Sequence, residues 1–234
     1  MKYVRLWLAE KAMYLLKYET NWRGRWQYAQ GGTYQRPDGQ ALDETIRDVW
    51  HLYDLNGHTP SLVVSGPNVL WQPVSLVAAS REKAREVLTF GEAAHQRLQG
   101  YAFDVQQNAD DGQWYVGAYD TTARDSVQRA IDAMGIPLAL IDVFPALVGR
   151  WCGPVTGWVY IPDGPAYHQV QLRKGIPWSY RLSQSVPQDD TLPFGTVPWQ
   201  DEAQRWSTCT GRKEAVAAME RWGLGLPEGL LVAL

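Results

Sequence analysis

The chain has 234 residues, 22 basic against 25 acidic side chains, and a formal net charge of −3. Apolar residues make up 45% and charged residues 20%, a balance that excludes extended disorder, and the length suffices for one large domain or two small ones with a real core. A pI near 5.8 argues against general nucleic-acid binding, and two cysteines, Cys152 and Cys209, are too few for a disulfide framework and lack metal-ligand spacing.

Tyr3–Leu8 and Lys11–Tyr18 read as two strands parted by the polar step Glu10-Lys11, and Trp22–Ala29 as a third that breaks at Gln30-Gly-Gly-Thr33. Pro37-Asp-Gly39 is a turn, and Leu42 opens a helix to about Leu55 with Ile46, Val49, Trp50 and Tyr53 at helical spacing. Ser61–Ser65 is a short buried strand and Val69–Val74 another. Ala78–Leu98 reads as a long helix with Val87, Leu88 and Ala94 inside and its charges outside. Tyr101–Val105 and Gln113–Tyr119 make a hairpin about Asn108-Ala-Asp-Asp-Gly112. Thr121 or Thr122 caps a helix over Ala123–Met134, stopped by Gly135. Ile136–Val143 is then a buried strand and Phe144–Trp151 a helix. Val155–Tyr160 and Tyr167–Leu172 form a hairpin around Pro162-Asp-Gly164, and Ile176–Leu182 is a third strand. Ser183–Pro198 is a Pro- and Asp-rich loop, and Lys213–Trp222 a final helix. The pattern is α/β, mixed sheets covered by helices, with three continuous subdomains over 1–66, 67–120 and 121–234.

Met1–Leu16 has no small-residue cleavage site, and Glu10-Lys11 breaks its apolar run, so it is not a signal peptide. No stretch is apolar enough to span a membrane, and any anchor would lie beyond Leu234.

Chemistry-bearing residues are sparse. His51, His58, His95 and His168 are scattered without the spacing of a helical zinc pair and read as surface or interface residues. Cys152 has no histidine in its segment to lower its pKa. The pairs Asp110-Asp111 and Asp189-Asp190 read as turn residues. Asp104, Asp120 and Asp142 end or follow strands, without a partner base. No GxxxxGK[ST] or GxGxxG turn cradles a phosphate. Neither catalytic residue, metal nor cofactor is implied. Twelve Trp and twelve Tyr against four Phe suit packing first, with a carbohydrate-binding module as one rival reading.

The segment Val116–Trp151 (VGAYDTTARDSVQRAIDAMGIPLALIDVFPALVGRW) resembles the PilM family, actin-like cytoplasmic proteins of type IV pilus assembly. So do the strand-turn-strand stretches Val159-Tyr-Ile-Pro-Asp-Gly164 and Val170–Pro177, the turn Cys209-Thr-Gly211, and Leu230–Leu234. The likeness extends to the cytoplasmic domain of GspL from type II secretion and to HofM. It implies a reduced actin-like ATPase (ribonuclease H-like) fold with an α+β insert. It also implies degenerate nucleotide positions. The acid of the first phosphate turn aligns with Trp7 and its glycine with Ala9, and a Trp cannot ligate Mg²⁺. In the second turn, ending at Asp163-Gly164, Pro162 lacks an N–H and Asp163 opposes a phosphate. The adenosine-side turn has Gly211-Arg212 for two glycines.

The resemblance therefore implies a non-catalytic scaffold, cytoplasmic and held at the inner membrane through its partner. That partner is a PilN-like protein whose cytosolic N-terminal segment it binds, with further contacts to the assembly ATPase. The groove would lie between the N-terminal sheet and the insert Val69–Tyr119, lined by Trp71, Arg81, Arg85 and Tyr101. A nucleotide-binding actin-like ATPase or small kinase is the alternative.

Overall fold

In a computed structural model of the chain, residues 2–91, 98–108, 112–138, 140–152, 156–163 and 166–184 are described. Asp110, Asp111, His95, Gly164, Asp189, Asp190, Cys209 and Gly211, and the stretch Lys213–Trp222 expected to be helical, lie outside them.

Strands β1 (Lys2–Leu8), β2 (Ala12–Thr20) and β3 (Trp26–Gln35) form an antiparallel meander. Helix α1 (Leu42–Leu52) carries the chain back so that β4 (His58–Val64) runs parallel to β1. An excursion follows: β5 (Val69–Val74), α2 (Arg81–Phe90), β6 (Tyr101–Gln107) and β7 (Trp114–Asp120) make a separate sheet in the order β5-β7-β6. Helix α3 (Thr121–Ala133) then returns to the first sheet, where β8 (Leu140–Val143) pairs parallel with β4. Helix α4 (Phe144–Cys152) leads to a third sheet, the meander β9 (Gly157–Asp163), β10 (Ala166–Arg173) and β11 (Ile176–Ser183).

The first sheet has the order β3-β2-β1-β4-β8, three antiparallel strands followed by two parallel ones. That is the ribonuclease H-like sheet, and with its α+β insert and covering helices the fold is actin-like. The sheet is buried on both faces, which explains the unbroken apolar runs Leu6-Trp7-Leu8 in β1 and Leu62-Val63-Val64 in β4. Val4, Leu6, Leu8, Leu62 and Val64 meet Ile46, Val49 and Trp50 of α1 and Val127, Ala130 and Ile131 of α3. On the opposite face Trp7, Tyr14, Leu16 and Val63 meet α4 and the inner side of the third sheet, with Phe144, Leu147, Trp151, Val159, Ile161, Val170 and Leu172. The insert has its own core of Ala84, Leu88, Val105, Trp114, Val116 and Ala118. Because β8 belongs with β4, the first sheet reaches across residue 120, and a division at that point cuts through it.

Several local readings change. Strand β3 runs through Gly31-Gly32 instead of ending there. A Cβ on Gly32 would sit 2.4 Å from the Tyr53 ring, so the glycine lets that ring cover the strand, and the Tyr53 hydroxyl donates to the Thr33 carbonyl at 2.8 Å. Helix α2 starts later, capped by Ser80, and turns Val87 outward while Ala84 and Leu88 face in. Asp120, not a threonine, caps α3 by accepting the Ala123 N–H at 2.9 Å. Strand β8 is short, since Pro137 has no N–H to give to a ladder. Pro162 and Asp163 are the last residues of β9, paired with Tyr167 and Ala166.

Candidate functional site

Two places can be tested: the position where the resemblance puts a nucleotide, and the groove beside the insert.

At the first, Trp7, Ala9 and Asp163 all come together, and all are buried. The Trp7 ring stacks on Phe144 at 4.5 Å between centroids and lies against Tyr14 and His168, while its indole N–H donates to Ser65 Oγ at 2.9 Å. His168, read from sequence as a surface or interface residue, is fully buried, because the even-numbered side chains of β10 share its inward face with Val170 and Leu172. His58 is buried too.

A polar relay threads this aromatic core. The Gly66 N–H donates to the Tyr180 hydroxyl at 2.8 Å, and that hydroxyl lies 3.0 Å from His168 Nδ1. Burial pushes the Tyr180 pKa far up, so the phenol keeps its proton. On the other side of the ring Nε2 lies 3.2 Å from Asp163 Oδ2 and donates to it, and the same oxygen accepts the Glu10 N–H at 2.8 Å. The other carboxylate oxygen, Oδ1, is buried and has no hydrogen-bond partner among the described residues. Among the described residues no group of three or more His, Cys, Asp or Glu could hold a metal ion.

The second place is a groove of about 760 Å³ between the insert and the edge of the first sheet. Its walls include residues 102–107 of β6 and 140–143 of β8, each an unbroken run. Successive side chains of a strand point to opposite faces, so an unbroken run can line a groove only if the strand's backbone edge faces it. Among the described residues both strands are indeed the last in their sheets. Each edge is covered by its own aspartate: Asp104 Oδ1 accepts the Val105 N–H and Asp142 Oδ1 the Val143 N–H, both at 2.8 Å. Arg81 pairs with Asp104 and Arg150 with Asp142. Charged groups so placed blunt a free edge against chance pairing. Leu140, 47% exposed, and half-buried Phe103 add apolar surface, and Tyr119 lines the groove with its pKa pushed up to about 12, mainly by burial.

Of the four lining residues expected from sequence, the structure brings two to the groove. Trp71 lies at its floor, with its indole N–H donating to the Pro177 carbonyl at 2.8 Å, which ties the insert to β11. Arg81 stands at its rim. Arg85 sits on the exposed side of α2, and Tyr101 packs into the insert core, so neither lines the groove. Sequence reasoning missed Phe103, Asp104, Leu140, Asp142 and Arg150. Asp104 and Asp142 had been noticed at strand positions, but only the sheet order sets them facing one groove.

No protein-family model and no curated protein sequence matches the chain. Its fold is nevertheless that of known structures. The solved PilM–PilN type IV pilus biogenesis complex superposes with a TM-score of 0.61 at 15% identity, covering 98% of this chain and 68% of that one. The cytoplasmic domain of EpsL, an inner-membrane component of the type II secretion system of Vibrio cholerae, superposes at 0.52 and 10% identity, covering 78% and 71%. At such identities the likeness is one of fold. Among the described residues no helix is long and apolar enough to cross a membrane.

Proposed function

We propose that the chain is a non-catalytic docking subunit of a type IV pilus or type II secretion assembly machine. Its groove takes an extended cytosolic segment of an inner-membrane partner of the PilN kind, and that partner holds it at the cytoplasmic face of the membrane. The observation that carries this reading is the groove walled by two strand edges that are unpaired among the described residues, since an edge captures an extended peptide by main-chain pairing and reads its alternate side chains in pockets. The solved PilM neighbour, whose structure is a complex with PilN, supports the choice of partner. The lack of catalysis is supported by the packed state of the phosphate-turn positions, where Trp7, Phe144 and His168 lie ring against ring.

The test is a fluorescence-anisotropy titration with a labelled peptide covering the cytosolic N-terminal segment of a PilN-type inner-membrane protein from the same organism. Leu140→Arg and Phe103→Arg, at exposed and half-buried groove positions, are expected to weaken binding at least about tenfold, with exposed Leu140→Arg leaving the melting temperature close to the parent's. Unchanged binding in both variants overturns the groove. Micromolar binding of Mg-ATP by calorimetry overturns the non-catalytic reading in favour of a nucleotide-dependent enzyme.

A further inference from the structure

Asp163 is the residue hardest to explain by packing. Its surroundings among the described residues are aromatic and aliphatic, it is fully buried, and one of its oxygens has no hydrogen-bond partner among those residues. A carboxylate in such a place is unfavourable unless donors require it, and an apolar residue would fill the same space at less cost. Two donors do require it: the Glu10 N–H in the β1–β2 turn, at 2.8 Å, and His168 Nε2 on β10, at 3.2 Å. Through His168 and Tyr180 the same relay reaches the Gly66 N–H beyond β4. The carboxylate at the end of β9 thus holds the β1–β2 turn directly and, through His168 and Tyr180, is linked to the turn after β4, so that it joins the third sheet to the first.

We propose that Asp163 is a built-in anionic ligand. The Glu10 N–H and His168 Nε2–H form a seat for one planar carboxylate, the chain's own side chain occupies it, and this contact ties the β1–β2 turn to the third sheet without an external ligand. The seat would take a small free carboxylate such as formate once the side chain is removed. This stands apart from the groove: partner capture can fail without touching it.

The experiment compares thermal melts of the parent chain and Asp163→Ala in formate and in chloride at matched ionic strength. The variant is expected to melt lower than the parent and to regain about 3–6 °C in formate at ten times its dissociation constant, while the parent does not respond. Equal melting of variant and parent, or equal action of formate and chloride on the variant, overturns the proposal. Should the alanine variant not fold, Asp163→Asn keeps the shape and removes the charge. The Glu10 amide proton, shifted downfield by a carboxylate, is then expected to move upfield, and amide exchange at Glu10 and Gly66 to rise. An unmoved Glu10 resonance in Asp163→Asn overturns the proposal equally.

Discussion

Trp71→Phe tests how the insert is fixed to the body of the protein. The Trp71 side chain is buried, its ring lies on Gly117, and its indole N–H is given to the Pro177 carbonyl at 2.8 Å. Phenylalanine keeps an aromatic ring over Gly117 but leaves that carbonyl without the indole donor. An orphaned buried acceptor costs about 1–3 kcal/mol. The smaller ring also leaves unfilled volume, at a further cost of about 1 kcal/mol. The sum, about 2–4 kcal/mol, lowers the urea midpoint by about 1 M for an m-value near 3 kcal/mol/M. Far-UV circular dichroism across a urea series reads it. A midpoint within about 0.2 M of the parent's would show that the Trp71–Pro177 contact holds nothing, and the insert's position would need another cause.

Gly149→Ala should act more locally. A Cβ at Gly149 would lie 2.7 Å from the Gly175 carbonyl oxygen and 2.9 Å from Pro177 Cδ, so α4 must lift off the β10–β11 turn. A loss of about 1–3 kcal/mol, or roughly 5 °C in Tm, is expected, and an unchanged melt contradicts the packing described. His58 predicts a pH dependence. Burial, aided by the charge of Lys17 and opposed by the Leu55 backbone, holds its pKa below the ordinary 6.5. The folded state therefore binds this proton less readily than the unfolded chain. The stability is fully present above 6.5 and is lost as pH falls through the lowered folded value. His58→Gln should flatten the acid limb of a Tm-against-pH curve, and an identical limb in variant and parent would remove His58 as its source.

Much of the fold was legible because its strands obey simple periods. Leu62-Val63-Val64 reads as a strand buried on both faces, and Val127, Ala130 and Ile131 mark the inner side of a helix. Gly31-Gly32 misled because local propensity opposes a strand there, while the deciding contact, Tyr53, lies twenty residues away by its bond to Thr33. Pro162-Asp-Gly164 likewise spells a turn, and nothing local shows that Asp163 faces inward to a donor at Glu10. For the groove, Trp71 and Arg81 could be placed from the insert alone. Leu140, Asp142 and Arg150 could not, since they reach the groove only when β8 joins β4 and presents its free edge toward β6. Pairing across a sheet is non-local information, and neither hydrophobic period nor turn chemistry carries it.

Amide hydrogen exchange, read residue by residue with and without the PilN-type partner's cytosolic segment, tests the docking claim at the atoms concerned. The N–H groups of Val105 and Val143 now rest on the side chains of Asp104 and Asp142, which an incoming strand would replace with main-chain carbonyls on the edge it joins. Protection at one of these two amides is predicted to rise at least about tenfold, with Glu10 and Gly66 unaffected. Binding that leaves both amides unchanged, or that protects Glu10 and Gly66 instead, would contradict capture at a strand edge.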